Sequence, residues 1–99
     1  LIIRGGENIS PLEVEAALLL HPAVSEAVVY GISDAKYGQI VGAAIVATAP
    51  IAEAEVLTHC KQHVAPFKTP SVVHIVDSIP RTPTGKVQRR RMPEHFGED

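Results

Sequence analysis

The chain has 99 residues, 45% apolar and 20% charged, with nine basic against eleven acidic side chains and a net charge of −2. That suffices for one compact domain with a modest core, and the charge balance argues against a nucleic-acid or membrane-surface binder. No apolar run approaches the roughly 20 residues of a membrane span, and the lone cysteine, Cys60, has no partner for an internal disulfide.

Opening in Leu1-Ile2-Ile3 with neither a methionine nor a charged leader, the chain reads as a piece of something larger, cytoplasmic in setting. Residues 1–4 read as the end of a strand, and Gly5-Gly6 as a turn able to take positive φ. Ser10-Pro11-Leu12-Glu13 is a capping box with proline at the first helical position. The helix it opens is expected to bury Leu12, Ala16, Leu19 and Leu20 and to stop near His21-Pro22. Residues 23–30 form a strand, with Val24, Val28 and Tyr30 on one face and Ala27 and Val29 on the other. Residues 31–38 read as a polar loop. The nearly unbroken apolar run over 41–48 predicts a central strand. A second helix over 53–64 buries Val56, Leu57, Cys60 and Val64, a third strand covers 72–76, and a short basic helix takes up 87–92 before Pro93. Two consecutive strands without an intervening helix favour a mixed sheet. The expectation is α+β: a small mixed sheet of about three strands, two main helices and a short C-terminal helix.

Three clusters have residues suited to chemistry. In Pro80-Arg81-Thr82-Pro83-Thr84-Gly85-Lys86, two prolines and a glycine constrain a loop that ends in a lysine just before a helix. Such a loop can present one compact cation to an anion, although ordinary loop statistics favour a plain surface lysine. A Walker A loop is excluded, because Pro80 stands where its first glycine belongs and Val87 where serine or threonine must follow the lysine. In Arg4-Gly5-Gly6-Glu7-Asn8 the glycines let backbone approach a ligand closely, or simply make a turn. The third cluster is Pro66-Phe67-Lys68. His59 and His63 have metal-compatible spacing, but no second ligand pair accompanies them, so a solvated helix face is the better reading. The run Arg89-Arg90-Arg91, with acids nearby, reads as a solvated helix end before it reads as a phosphate site.

Together these clusters resemble the C-terminal domain of the adenylate-forming superfamily of acyl-CoA synthetases, peptide-synthetase adenylation domains and luciferases. The resemblance runs along nearly the whole chain. It is carried by Ile3-Arg4-Gly5-Gly6-Glu7-Asn8-Ile9 with Pro11-Leu12-Glu13-Val14-Glu15, by His21-Pro22-Ala23-Val24, and by Asp34-Ala35-Lys36-Tyr37-Gly38. Phe67-Lys68-Thr69-Pro70 and Ile79-Pro80-Arg81-Thr82-Pro83-Thr84-Gly85-Lys86-Val87 complete it. The wording of residues 9–14 and of Gln88-Arg89-Arg90 through His95-Phe96 looks most like the branch containing oxalate–CoA ligases.

The resemblance implies an ATP-dependent, AMP-forming acid–thiol ligase in which this domain turns between two half-reactions. In the first, Lys86 is the catalytic residue, meeting the carboxylate and the ribose–phosphate oxygens. In the second, Gly5, Gly6 and Glu7 line the pantetheine tunnel with Tyr37 beside it, Phe67 lies against the adenine of coenzyme A, and either Lys68 or another surface meets its phosphates. ATP and coenzyme A are the implied co-substrates, and Mg2+ is held mainly by an N-terminal domain that this chain lacks. No metal ligands are expected on this chain, and the fragment alone is expected to be inactive. The partners are that N-terminal domain and a carboxylic acid. Two departures stand out. Thr69 and Ser71 occupy positions where some CoA ligases carry basic residues, and the hinge residue falls before Leu1. A carrier-protein thiol, or a non-catalytic nucleotide- or partner-binding role, therefore stays an alternative.

Overall fold

The computed structural model describes residues 1–98. Strands β1 (Ile2–Arg4) and β2 (Glu7–Ile9) form an antiparallel hairpin. Its two-residue turn, Gly5-Gly6, has φ of 56° and 84°, the doubly positive geometry that a tight hairpin requires. Helix α1 (Pro11–Leu19) follows, with the Ser10 hydroxyl accepting from the Glu13 N–H at 3.4 Å. Strands β3 (Val24–Asp34) and β4 (Gly38–Ala47) make a long antiparallel hairpin. Helix α2 (Glu53–Lys61) then carries the chain to β5 (Val72–Val76), which runs parallel to β4. The sheet order is β3-β4-β5, so β4 is central, as its unbroken apolar run predicts. A single 3-10 turn, Arg89–Arg91, leads into the short helix α3 (Met92–His95). The fold class is α+β.

The core lies on both faces of this sheet. Val29, Val41, Ala43 and Ile45 meet Val14, Leu18, Val56 and Cys60 of the helices on one side. On the other side, Val28, Tyr30, Ile32 and Ala44 are covered by Ile79, Met92 and Phe96 of the C-terminal arm.

Several expectations are corrected. First, α1 buries Pro11, Val14, Ala17 and Leu18, while Leu12, Ala16, Leu19 and Leu20 face solvent. The helix is apolar on more than one side, so spacing alone does not say which side turns inward. Second, Val24 belongs to the helix-side core with Val29, not with Val28 and Tyr30. The register shifts between Val24 and Glu26, and one extra residue there inverts the alternation. Third, residues 31–34 continue β3, which leaves only a short turn before β4. Fourth, Glu7–Ile9 is a strand, and the C-terminal helix starts at Met92 with Pro93 in its first turn, where a missing N–H is harmless.

Candidate functional site

The lysine loop is a closed structure. Ile79 is buried below it, and Arg81 and Val87 form an antiparallel bridge at its neck. Thr82 organises the interior. Its N–H donates to the Lys86 carbonyl at 2.8 Å, its carbonyl accepts from the Gly85 N–H at 2.8 Å, and its hydroxyl oxygen accepts from the Lys86 N–H at 3.0 Å. Gly85 takes φ of 87°, which closes the turn. Arg81 reaches around the outside, donating to the Gly85 carbonyl at 3.2 Å and to Glu26 at 2.6 Å. Lys86 is exposed, and among the described residues it has no ion-pair partner. The loop can therefore present an unquenched ammonium group on a braced support.

A second group forms around the glycine turn. Gly5 donates its N–H to the Tyr37 carbonyl at 2.8 Å, and the Ile3 N–H donates to the Gln39 side chain at 2.8 Å, so the β1–β2 hairpin is docked on the β3–β4 turn. That turn is shaped by Asp34, whose carboxylate accepts from the Lys36 and Tyr37 N–H groups at 3.0 and 2.8 Å. Gly5, Gly6, Glu7 and Tyr37 are thereby brought together. Two residues outside the expected set join them: the Arg4 guanidinium lies 4.1 Å from the Tyr37 ring centre and the Lys36 ammonium 5.1 Å from it. Arg4 adjoins the glycines in sequence, but nothing in the spacing points Lys36 at the ring.

Phe67 and Lys68 form a third group, on the 3-10 turn Pro66–Lys68. The Phe67 ring packs partly buried against the helix-side core. The Lys68 ammonium donates to both oxygens of Glu13 at 2.9 and 3.1 Å. This pair draws Glu13 away from the reciprocal half of its capping box, and it leaves Lys68 already engaged. Thr69, next in the chain, has a buried hydroxyl without a hydrogen-bond partner among the described residues.

The lysine loop and the glycine turn sit at opposite ends of β3. Arg81 ties the first to Glu26, near the start of the strand, and Tyr37 joins the second just beyond Asp34, at its end. At 3.3 Å per residue, Glu26 and Asp34 are separated by roughly 26 Å.

Two basic features take structural roles. Arg89 donates to the Val29 carbonyl at 2.8 Å and to Glu15 at 2.9 Å, while Glu15 accepts the Val29 N–H at 2.8 Å, so it is not part of a solvated helix end. His59 bonds the Ala17 carbonyl at 2.8 Å and is likewise not a solvated side chain. Among the described residues no three His, Cys, Asp or Glu side chains converge to hold a metal ion. No helix among them is long and apolar enough to cross a membrane.

Residues 13–86 match the AMP-binding enzyme C-terminal domain family. The chain is 45% identical over 100 residues to the oxalate–CoA ligase of Arabidopsis thaliana, covering 99% of this chain and 20% of that protein. The structure superposes on o-succinylbenzoate CoA synthetase of Bacillus subtilis in complex with its acyl-adenylate intermediate, with a TM-score of 0.85 and 42% identity over 92% of this chain and 19% of that one. ATP-bound MatB of Rhodopseudomonas palustris gives a TM-score of 0.90 at 38% identity, over 97% and 20% of the two chains. The chain spans about one fifth of the length of the curated relatives it matches. It belongs to the AMP-binding enzyme C-terminal domain family.

Proposed function

We propose that residues 1–99 are the mobile C-terminal domain of an ATP-dependent, AMP-forming acid–CoA ligase, whose ATP- and acid-binding N-terminal domain lies elsewhere in the enzyme. The observation that carries the proposal is the separation of the lysine loop from the glycine turn by the length of β3. Tied to strand positions roughly 26 Å apart, Glu26 and Asp34, the two groups are not placed to meet one small reaction centre in a single pose. A domain that turns between two half-reactions uses each in its turn.

In the first half-reaction a substrate carboxylate attacks the α-phosphorus of ATP, and pyrophosphate leaves. Lys86 holds its ammonium where negative charge is shared between the attacking carboxylate and the α-phosphate oxygens, and it orients the attacking oxygen. In the second, a thiol sulfur adds to the acyl carbonyl and AMP departs. Gly5 and Gly6 then border the thiol's tunnel with backbone alone, Glu7 and Tyr37 line its wall, and Phe67 lies against the adenine of coenzyme A. Any Mg2+ required for the ATP step would be held mainly by the N-terminal domain. The CoA-ligase names and the acyl-adenylate and ATP complexes among the relatives support this chemistry.

One observation favours a second reading, a carrier-protein thiol in place of coenzyme A. Lys68 is paired with Glu13, and neither Thr69 nor Ser71 is charged, so none of these three offers the nucleotide's phosphates an unpaired cation. Supplying the full-length enzyme with coenzyme A and with a phosphopantetheinylated carrier separates the two.

The test of the main reading is Lys86→Ala in the full-length enzyme. Adenylation, read as pyrophosphate release, should slow by roughly a hundredfold or more, the scale of losing one preorganised electrostatic donor. Thioester formation from supplied acyl-adenylate should stay near normal. Wild-type adenylation by the variant would reduce the loop to a surface turn.

A further inference from the structure

We infer that Arg81 and Glu26 are positioning residues for Lys86, indexing the lysine loop to β3 in the orientation adenylation uses; this rests on the role given to Lys86 above. The Arg81 guanidinium forks, with one nitrogen on the Glu26 carboxylate at 2.6 Å and the other on the Gly85 carbonyl at 3.2 Å. That carbonyl belongs to the peptide from which Lys86 departs, so holding it sets the direction in which the lysine leaves the loop. The need for a brace follows from Gly85 itself. At φ of 87° and with open space where a side chain would stand, it is the softest joint in the loop.

The other polar contacts do not supply the brace. Thr82 bonds to Gly85, Lys86 and Thr84, all inside the loop, and so fixes its shape without fixing its place. Val87 packs at the neck against the arm-side core, below the loop. Among the described residues, Arg81 to Glu26 is the one hydrogen-bonded tie from residues 81–86 to the sheet. Both side chains are more than two-fifths exposed, at 44% and 42%. An ion pair this exposed contributes little to stability, so its effect on rate can be read apart from folding.

In the full-length enzyme the test compares Arg81→Ala, Glu26→Gln, the double variant and Arg81→Lys, with Lys86→Ala as reference. Adenylation and thioester formation from preformed acyl-adenylate are measured separately, beside thermal unfolding. Each single variant should lower the adenylation rate by roughly tenfold or more at unchanged KM for acid and ATP. The double variant should be no worse than the poorer single, because the two act as one unit. Arg81→Lys should recover only part of the rate, since a single ammonium cannot keep both acceptors of the fork. Thioester formation and unfolding temperature should stay at wild-type values. The inference is overturned if either single variant adenylates within about twofold of wild type while Lys86→Ala does not. Equal losses in both half-reactions, or additive losses that mark Arg81 as an independent cation at the substrate, would overturn it as well. Normal adenylation by Lys86→Ala overturns instead the reading of the loop on which it rests.

Discussion

Cys60 lies fully buried in the helix-side core, and burial pushes its thiol pKa above the ordinary value. A thiol held neutral and out of reach is neither a nucleophile nor a ligand. A disulfide reagent such as Ellman's should leave the folded chain unlabelled and take one equivalent in denaturant; rapid labelling of the native protein would contradict this placement. Residue identity made some of the site legible in advance and hid the rest. The glycine pair and Lys86 were candidates from their residue types and local pattern, whereas Tyr37 was singled out only through the family resemblance. The partners of Lys68 and Arg89 were not readable, because which carboxylate folds against a cation is set by the fold. Glu13 takes the first and Glu15 the second, 55 and 74 positions away along the chain.

At the level of elements, the strands were readable where burial forced a run of apolar residues, long in β4 and short in β5. Phase was not readable where the backbone departs from ideal geometry. The bulge beside Ser25 moves Val24 to the other core, and α1 turns its second apolar side to solvent. That helix is held by polar ties as well as by packing. Glu15 and Arg89 cap the outward N–H and C=O of Val29 on the edge strand β3, closing a site where another strand could add. The arm on the opposite face is held by a similar device. Tyr30 is fully buried and donates its hydroxyl to Glu98 at 2.8 Å, and Glu98 also bonds His74 at 3.0 Å. Burial first, and the hydrogen bond to Glu98 second, raise the phenol's pKa well above its ordinary 10.0. The folded state thus favours the neutral phenol. Its contribution is present in full below pH 10 and is lost as pH rises beyond, where the unfolded chain ionises and the folded one resists. Tyr30→Phe should cost about 1 kcal/mol at neutral pH through the lost hydrogen bond. Above pH 10 its urea midpoint should fall less steeply than that of wild type. Parallel slopes for the two proteins would show that Tyr30 does not carry the alkaline sensitivity.

For the molecule as a whole, what matters is distance. The β3–β4 hairpin runs between a braced cation at one end and a bare-backbone turn at the other. If each end serves its own half-reaction, a substitution at one should leave the other's half-reaction unchanged. Lys86→Ala probes the first end, and Gly6→Ile probes the second. An added Cβ at Gly6 meets nothing within 4 Å in this chain, so crowding there must come from what faces the turn in the working enzyme. Thioester formation from preformed acyl-adenylate should drop by roughly tenfold or more, the scale of a misplaced reactant, while adenylation stays within about twofold of wild type. Backbone strain is a competing cause, because Gly6 sits at φ of 84°, where a β-branched residue is disfavoured. Gly6→Asn separates the two, since asparagine tolerates positive φ but still carries a side chain. Narrowing of the tunnel predicts that Asn slows the thioester step to an intermediate degree and spares adenylation. Strain alone predicts a near-normal Asn variant beside an Ile variant weakened in both steps and unfolding at lower temperature. That second pattern would return Gly6 to the role of a hairpin turn and leave the glycine end without a function.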